Sequence, residues 1–342
     1  MTGRACVVAP ECENRDWVKN AEEHLSQRFT EEHVAAWKET GFTIIPRFFN
    51  EDEIAPIRQE YERIYGTTGQ GSGTELHLRK LGGFGEFREA QFENIDTFPY
   101  DASFAMNLIS LHPQLIELAK RLLDSPSVHL YQSHTWAKYT GDADYNQPHH
   151  CDFSNHTLLV PGDQCIERTV DVVIYLTEVT DAHGPLHFVT KADSNRVLRS
   201  GAVWALEPEE QAALNAIERS AAGPAGTIVA HSIDTFHRGT NLTEPGGHRF
   251  TMTAGYKSAG NDMIGYHVWQ DAASRDWRPI FEHATPEQLK CLGIPPPGSE
   301  FWTERTLKLS QARWPKWNMA EYFRAAGLPP LNKTRVSSEV QS

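Results

Sequence analysis

The stretch Gly226-Thr227-Ile228-Val229-Ala230-His231-Ser232-Ile233-Asp234-Thr235-Phe236-His237-Arg238-Gly239-Thr240-Asn241 decides the fold class. A glycine turn opens it, an apolar β-branched run follows, and after a short break a second extended run carries His237, which is the pattern of consecutive strands in a β-rich domain. On its C-terminal side, the turn-rich run Thr243-Glu244-Pro245-Gly246-Gly247 leads into residues 248–257, another strand pattern that carries Arg249. This arrangement predicts that residues 235–241 and 248–257 pair as an antiparallel hairpin; Arg249 and His237 face one cavity when their pairing sum is even, for instance Arg249 opposite Gly239, and an odd register would point Arg249 outward.

Upstream, residues 127–139, 147–153, 170–177 and 186–190 read as further short strands separated by Gly, Pro, Asn and Asp turns, and about 208–219 reads as a helix. The first part of the chain has a different texture. Thr30 is a good N-cap for Glu31–Lys38 with Gly41 as its stop, Asn50 with Glu53 forms a capping-box start for a helix to about Tyr65, and Pro113–Leu123 has apolar residues at helical spacing. Phe42-Thr43-Ile44-Ile45 between the first two helices is strand-like, and Gly66–Thr74 reads as a loop. From residue 258 onward Trp269, Trp277, Trp302, Trp314 and Trp317 alternate with turns such as Pro295-Pro296-Pro297-Gly298. With no internal repeat and no long linker, residues 1–342 read as one domain: a polar arm (1–24), a helical part (25–126), a β-barrel core (127–257) and a Trp/Pro-rich extension (258–342) packed on it.

Composition narrows the class of partner. A formal net charge of -13 works against a nucleic acid or an anionic membrane surface. No segment approaches the ~20 apolar residues of a membrane span. Cys6, Cys12, Cys151, Cys165 and Cys291 are odd in number and scattered, so neither a disulfide framework nor a zinc ribbon is expected, and a cytoplasmic location fits.

Chemistry concentrates at His150-Cys151-Asp152. On a strand, residues i and i+2 share a face, so the triplet presents an imidazole and a carboxylate to one point. His237 can supply a second imidazole from a distant strand. Two histidines and one carboxylate leave half an octahedron open, which suits a non-haem Fe(II) centre that must also hold a co-substrate and oxygen. His149 would point to the opposite face from Asp152; His231, the rival to His237, reads as a core histidine beneath the site. Arg249 has two readings, a structural salt bridge or a bidentate hold on a ligand carboxylate, and the metal triplet favours the second.

The chain resembles the phytanoyl-CoA dioxygenase family of Fe(II)- and 2-oxoglutarate-dependent oxygenases, which includes ectoine hydroxylase. The similar segments are Phe29-Thr30-Glu31-Glu32 with Thr40-Gly41-Phe42, His112-Pro113, Leu130-Tyr131-Gln132 through Lys138, His150-Cys151-Asp152, Tyr175-Leu176 to Gly184-Pro185-Leu186, and His237 to Arg249. The resemblance implies a mainly β fold with flanking helices, a double-stranded β-helix of jelly-roll or cupin type. It implies His150, Asp152 and His237 as ligands of Fe(II), and Arg249 as anchor of the distal carboxylate of 2-oxoglutarate, with Thr251, Lys138 and Gln132 assisting. The implied reaction takes O2 and hydroxylates a C–H bond of a small molecule, releasing succinate and CO2.

Departures from the family pattern lie close to these residues. Thr190-Lys191-Ala192-Asp193-Ser194 stands where a Pro-Gly-Ser-His turn is usual, Gly239 replaces a small hydroxyl residue so that Thr240 or Thr251 would contact the co-substrate, and the His237–Arg249 spacing is slightly long. Since Asp152 is present rather than Gly or Ala, no coordination position is left for halide. Trp136, Tyr145, Phe153 and Trp269 are candidate walls of a mostly apolar pocket suited to a lipid-like molecule or secondary metabolite. A cupin-like metal-dependent hydrolase or isomerase, and a non-catalytic binding protein that keeps the fold, remain as alternatives.

Overall fold

The computed structural model describes residues 28–67, 96–141, 146–198, 202–264, 268 and 275–330. The polar arm, most of the 66–74 loop, Tyr145 and Trp269 lie outside the described residues. Among the described residues eight strands form two antiparallel sheets: β1 (Phe42–Ile45), β2 (Val128–Tyr139), β3 (Thr169–Tyr175), β4 (Leu186–Phe188), β5 (Arg219–Ser220), β6 (Ile228–Ser232), β7 (His237–Gly239) and β8 (His248–Ser258). The larger sheet has the order β1-β6-β3-β8-β2 and the smaller β5-β4-β7. Their inner faces meet, with Phe42 of the larger sheet stacked on Phe188 of the smaller at 4.8 Å and Val173, Tyr175 and Val229 in the same apolar cluster. This is the helix-flanked barrel of jelly-roll type that the sequence implies.

Side-chain alternation along β8 sorts the molecule into layers. Phe250, Met252, Ala254 and Tyr256 point outward into the main apolar core, which they share with Trp37, Ile57 and Tyr61 of the N-terminal helices. Trp277, Trp302, Trp317 and Tyr322 of the C-terminal extension join that same core. Arg249, Thr251 and Thr253 take the other face, where they lie opposite Lys138, Trp136 and His134 of β2. The larger sheet therefore has a dry, helix-covered side and a polar side turned to the barrel interior.

Local signals end the helices where the sequence predicts. Gly41 stops helix Glu31–Thr40 at φ +94°, a conformation that favours glycine, and its carbonyl accepts from Ser232 N and from Thr235 Oγ1 at 2.8 Å each. Asn50 Oδ1 accepts from Glu53 N, and Glu53 Oε2 accepts from Asn50 N, each at 3.0 Å.

Three expectations are corrected. Residues 147–153 do not form a strand. Only His150 makes a ladder bridge, to His237; Pro148 has no N–H to extend the pairing, and Asp152 is already in the right-handed helical region (φ -74°, ψ -14°) at the start of helix Phe153–His156. Strand β7 does not pair with β8. Both edges of β8 are taken by β2 and β3, and the connection crosses between sheets, held by Thr243 N and Glu244 N donating to Ala182 O at 2.8 and 3.0 Å. Arg249 consequently lies opposite Lys138 rather than Gly239. The helix expected over 208–219 runs from Pro208 to Asn215, because Arg219–Ser220 is taken as an edge strand by β4.

The first helix-bearing layer hinges on Glu53, whose carboxylate takes both Arg28 guanidinium nitrogens at 2.8 and 2.9 Å and lies 3.4 Å from His112 Nε2. Burial alone would raise its pKa, but His112, Arg28 and the Asn50 N–H outweigh burial and hold it at about 2. His112 is itself pushed down by burial, so it serves as a neutral donor rather than a charge. A carboxyl depressed in the folded state stabilises above its unfolded pKa of about 4.3, and that contribution is lost as pH falls towards the folded value. Glu53→Gln should lower stability at pH 7 by about 2–3 kcal/mol in urea melts. The parent and variant stability curves should converge between pH 4.5 and about 2. Parallel curves over that interval would show that Glu53 is not the titrating group.

Candidate metal centre

Backbone pairing makes the centre. His150 N donates to His237 O at 2.9 Å and His237 N donates to His150 O at 3.0 Å, so the two histidines occupy a hydrogen-bonded antiparallel pair and their side chains leave the sheet side by side. Their ring centroids are 4.6 Å apart. Asp152 returns to the same point through the helical turn that follows His150. Its carboxylate oxygens lie 3.6 Å from His150 Nε2 and 3.5 Å from His237 Nε2, and one donor atom from each of the three residues falls within 4.8 Å of the others.

The second nitrogen of each ring is already committed. His150 Nδ1 sits 2.9 Å from Pro148 O and His237 Nδ1 sits 3.0 Å from Thr235 O. A carbonyl can only accept, so each Nδ1 carries the proton and each Nε2 presents a lone pair to the shared point. Burial pushes His237 down to about 3, against the pull of Asp152. Burial would raise Asp152, yet the surrounding imidazoles of His237, His150, His231 and His156 hold its carboxyl well below the usual carboxylate range. Two imidazoles and one carboxylate make a donor set that fits a divalent transition metal.

The other histidines stay outside this group. His149 is buried and turns the opposite way, its Nε2 3.2 Å from Glu218 Oε2. His231, also buried, packs its ring 4.6 Å from that of His237 with Nδ1 3.4 Å from Ser232 O. Position 239 is explained by Gln147, whose Oε1 accepts from Gly239 N at 2.7 Å; a Cβ there would press on that amide. Thr240 Oγ1 donates to Pro185 O at 2.7 Å.

Arg249 comes to the cavity from the opposite sheet. Its charged group is buried, its Nε has no hydrogen-bond acceptor, and its only hydrogen bond to another described residue is a long one of 3.5 Å from Nη1 to His183 O. Among the described residues no carboxylate pairs with it, so the salt-bridge reading has no partner. Burial lowers its pKa, partly offset by Tyr175. Lys138, paired with it across β2 and β8, is buried with Nζ 5.7 Å from the Trp136 ring; Thr251 shares their face.

The remaining expected residues fall differently. Gln132 Nε2 donates to Asp171 Oδ1 at 2.8 Å, and that buried carboxylate also accepts from Tyr131 OH at 2.8 Å and Thr169 Oγ1 at 2.9 Å, so Gln132 is part of a closed network. Trp136 is half-buried on the cavity face, with Nε1 donating to Thr253 Oγ1 at 3.0 Å. Phe153 is buried in a satellite apolar cluster and meets Trp204 edge-on at 5.2 Å. Tyr145 and Trp269 lie outside the described residues. Sequence reading missed Gln211 and Glu218, which grip His149 from behind; nothing in the polar run around them distinguishes them from a solvated helix face.

Comparison with known proteins agrees with this architecture. The fold is similar to EctD from S. alaskensis in a structure with 2-oxoglutarate and 5-hydroxyectoine (TM-score 0.54, 19% identity, 74% of this chain and 84% of that one). It is also similar to the non-heme alpha ketoglutarate dependent carbocyclase SnoK from nogalamycin biosynthesis (TM-score 0.50, 20% identity, 75% and 92%). At these identities the likeness is one of fold. No curated protein matches the chain by sequence. The family model described as phytanoyl-CoA dioxygenase (PhyH) matches residues 37–247, which span β1 to β7 and end just before β8, and the chain belongs to that family.

Proposed function

We propose that this protein is an Fe(II)- and 2-oxoglutarate-dependent dioxygenase that hydroxylates a C–H bond of a small molecule. One observation carries the reading: two imidazole Nε2 atoms and a carboxylate converge on one point, while a guanidinium with no carboxylate partner among the described residues projects into the barrel from the other sheet. His150, Asp152 and His237 would hold the metal. Bound Fe(II) with 2-oxoglutarate supplies oxidative decarboxylation to succinate and CO2 and, with it, the power to take hydrogen from an unactivated C–H bond.

The protein's own contribution is placement. Arg249 would hold the distal carboxylate of the co-substrate in its fork, with Lys138 adding positive charge beside it and Thr251 a hydroxyl on the same face. Trp136, His134 and Thr253 continue that face along the barrel. Leu158, Leu159 and Val160, exposed just beyond the Asp152 turn, give the rim an apolar lip. That combination supports a substrate with an apolar body and a few hydrogen-bonding groups, a secondary metabolite more than a plain lipid. One protein of similar fold is named as a carbocyclase, so hydroxylation is the reading of first choice among outcomes that share the hydrogen-abstraction step.

Anaerobic addition of Fe(II) and 2-oxoglutarate should give a weak visible charge-transfer band, and admission of air should release succinate. Asp152→Ala should abolish both; a variant that forms succinate at the parent's rate would remove Asp152 from the ligand set. Arg249→Ala should keep the metal but weaken 2-oxoglutarate binding by about 2–5 kcal/mol, as expected when one member of a buried charge pair is lost. An unchanged dissociation constant in an anaerobic titration would assign the co-substrate carboxylate to another residue. Metal binding without any response to 2-oxoglutarate would favour the cupin-like hydrolase or isomerase instead.

A further inference from the structure

The ligand segments are braced on the side of the small sheet away from the metal. Glu218, 12% exposed, follows helix Pro208–Asn215 and reaches three elements at once. Its carboxylate accepts from Arg238 Nε at 2.7 Å and Nη2 at 2.6 Å, lies 2.9 Å from His187 Nδ1 and 3.2 Å from His149 Nε2. Each partner adjoins the centre. His149 precedes His150, Arg238 follows His237, and His187 of β4 pairs with Arg238 while its neighbour Phe188 stacks on the His237 ring at 5.6 Å.

Gln211, on the helix itself, completes the brace. Its Oε1 accepts from His149 N at 2.7 Å and its Nε2 donates to His149 O at 2.9 Å and to Ala205 O at 2.7 Å. A side-chain amide thus stands in for a neighbouring strand beside a residue that has none. The need is plain from the pairing, because the 147–150 segment is joined to β7 through the His150–His237 bridge and the bonds of Gln147 to Gly239, too little ladder to fix its spacing alone. An ordinary surface ion pair would have stopped at Arg238.

We propose that Glu218 and Gln211 form a positioning bracket that sets the separation of His150 from His237 and so governs how tightly the centre holds a divalent metal. This rests on the metal-centre reading above. Neither residue touches the metal; both act through the segments that carry its ligands.

Titration of the full-length apoprotein with Co(II), read by visible d–d absorption, tests the bracket without turnover. Outer hydrogen-bonding partners of metal ligands typically carry about 10–100-fold in metal affinity. Glu218 acts one residue further out, on the neighbours of the ligands, so Glu218→Ala should weaken Co(II) binding by about 10-fold, the lower end of that range, and change the shape of the band. Gln211→Ala and Glu218→Gln should weaken it less and in the same direction. Glu53→Gln, at the distant ion pair on the helix layer, serves as the control that lowers the melting temperature without moving Co(II) affinity. If the Glu218 and Gln211 variants melt earlier yet keep the parent's Co(II) affinity and spectrum, the pair is merely structural and the bracket is wrong. Should Glu218→Ala fail to fold, Glu218→Gln and Gln211→Ala decide by the same criterion. A parent that binds no Co(II) overturns the metal-centre reading itself, an outcome distinct from variants that match a binding parent.

Discussion

A single antiparallel bridge, His150 to His237, is the constraint on which the centre depends. Its two backbone bonds, at 2.9 and 3.0 Å, commit both imidazoles to one side of the small sheet, and the carbonyls of Pro148 and Thr235 then fix which nitrogen each ring offers. With those four bonds in place the rings have little rotational freedom left. Asp152 is brought in by the turn after the bridge, so the third donor depends on the same pairing. A side-chain constellation that looks long-range is, in backbone terms, one pair and one turn.

The barrel divides labour between its sheets. β7 of the three-stranded sheet and the segment from 147 to Asp152 carry the metal donors, and such sparse pairing needs outside support, which the region from Ala205 to Glu218 supplies. The larger sheet is stiffer. β8 is paired on both edges and covered by helices on its outer face, and Arg249 projects from it into the interior. A co-substrate held between a guanidinium on the rigid wall and a metal on the braced wall would be oriented by both, and the distance between them is set by inter-sheet contacts such as Phe42 on Phe188.

How much of this the sequence disclosed depends on the range of the interaction. The His150-Cys151-Asp152 spacing and the isolated His237 were readable because metal ligation restricts residue types sharply, and the helix boundaries at Gly41, Asn50 and Pro113 because caps are local chemistry. The geometry behind the triplet was misread: strand alternation was invoked where a bridge followed by a helical turn does the work. Arg249 was placed on the cavity face through a pairing that does not exist. The run Thr243–Gly247 has the composition of a hairpin turn, and composition does not say whether the chain folds back on its own sheet or crosses to the opposite one. The family resemblance offers Gln132 as a polar residue of the pocket, but the partner that claims it, Asp171, lies on β3, and only the register of β2, β8 and β3 brings the two together. Glu218 and Gln211 gave no signal, since their importance comes wholly from what lies behind them in space.

The alternatives of hydrolase, isomerase and oxygenase share the two histidines and the carboxylate, so the centre does not separate them. Arg249 does. Removing a guanidinium from water costs several kcal/mol unless hydrogen bonds and an opposite charge replace the lost hydration. Within the described protein Arg249 has one long bond to a carbonyl and no carboxylate, whereas the comparably enclosed Arg28 and Arg238 each have a bidentate one. On the function proposed above, a guanidinium left without a carboxylate among the described residues while Arg28 and Arg238 have theirs would serve as a receptor for an anion. Metal-assisted hydrolysis has no obligatory use for such a receptor, while a chelating co-substrate with a second carboxylate at its far end fits it.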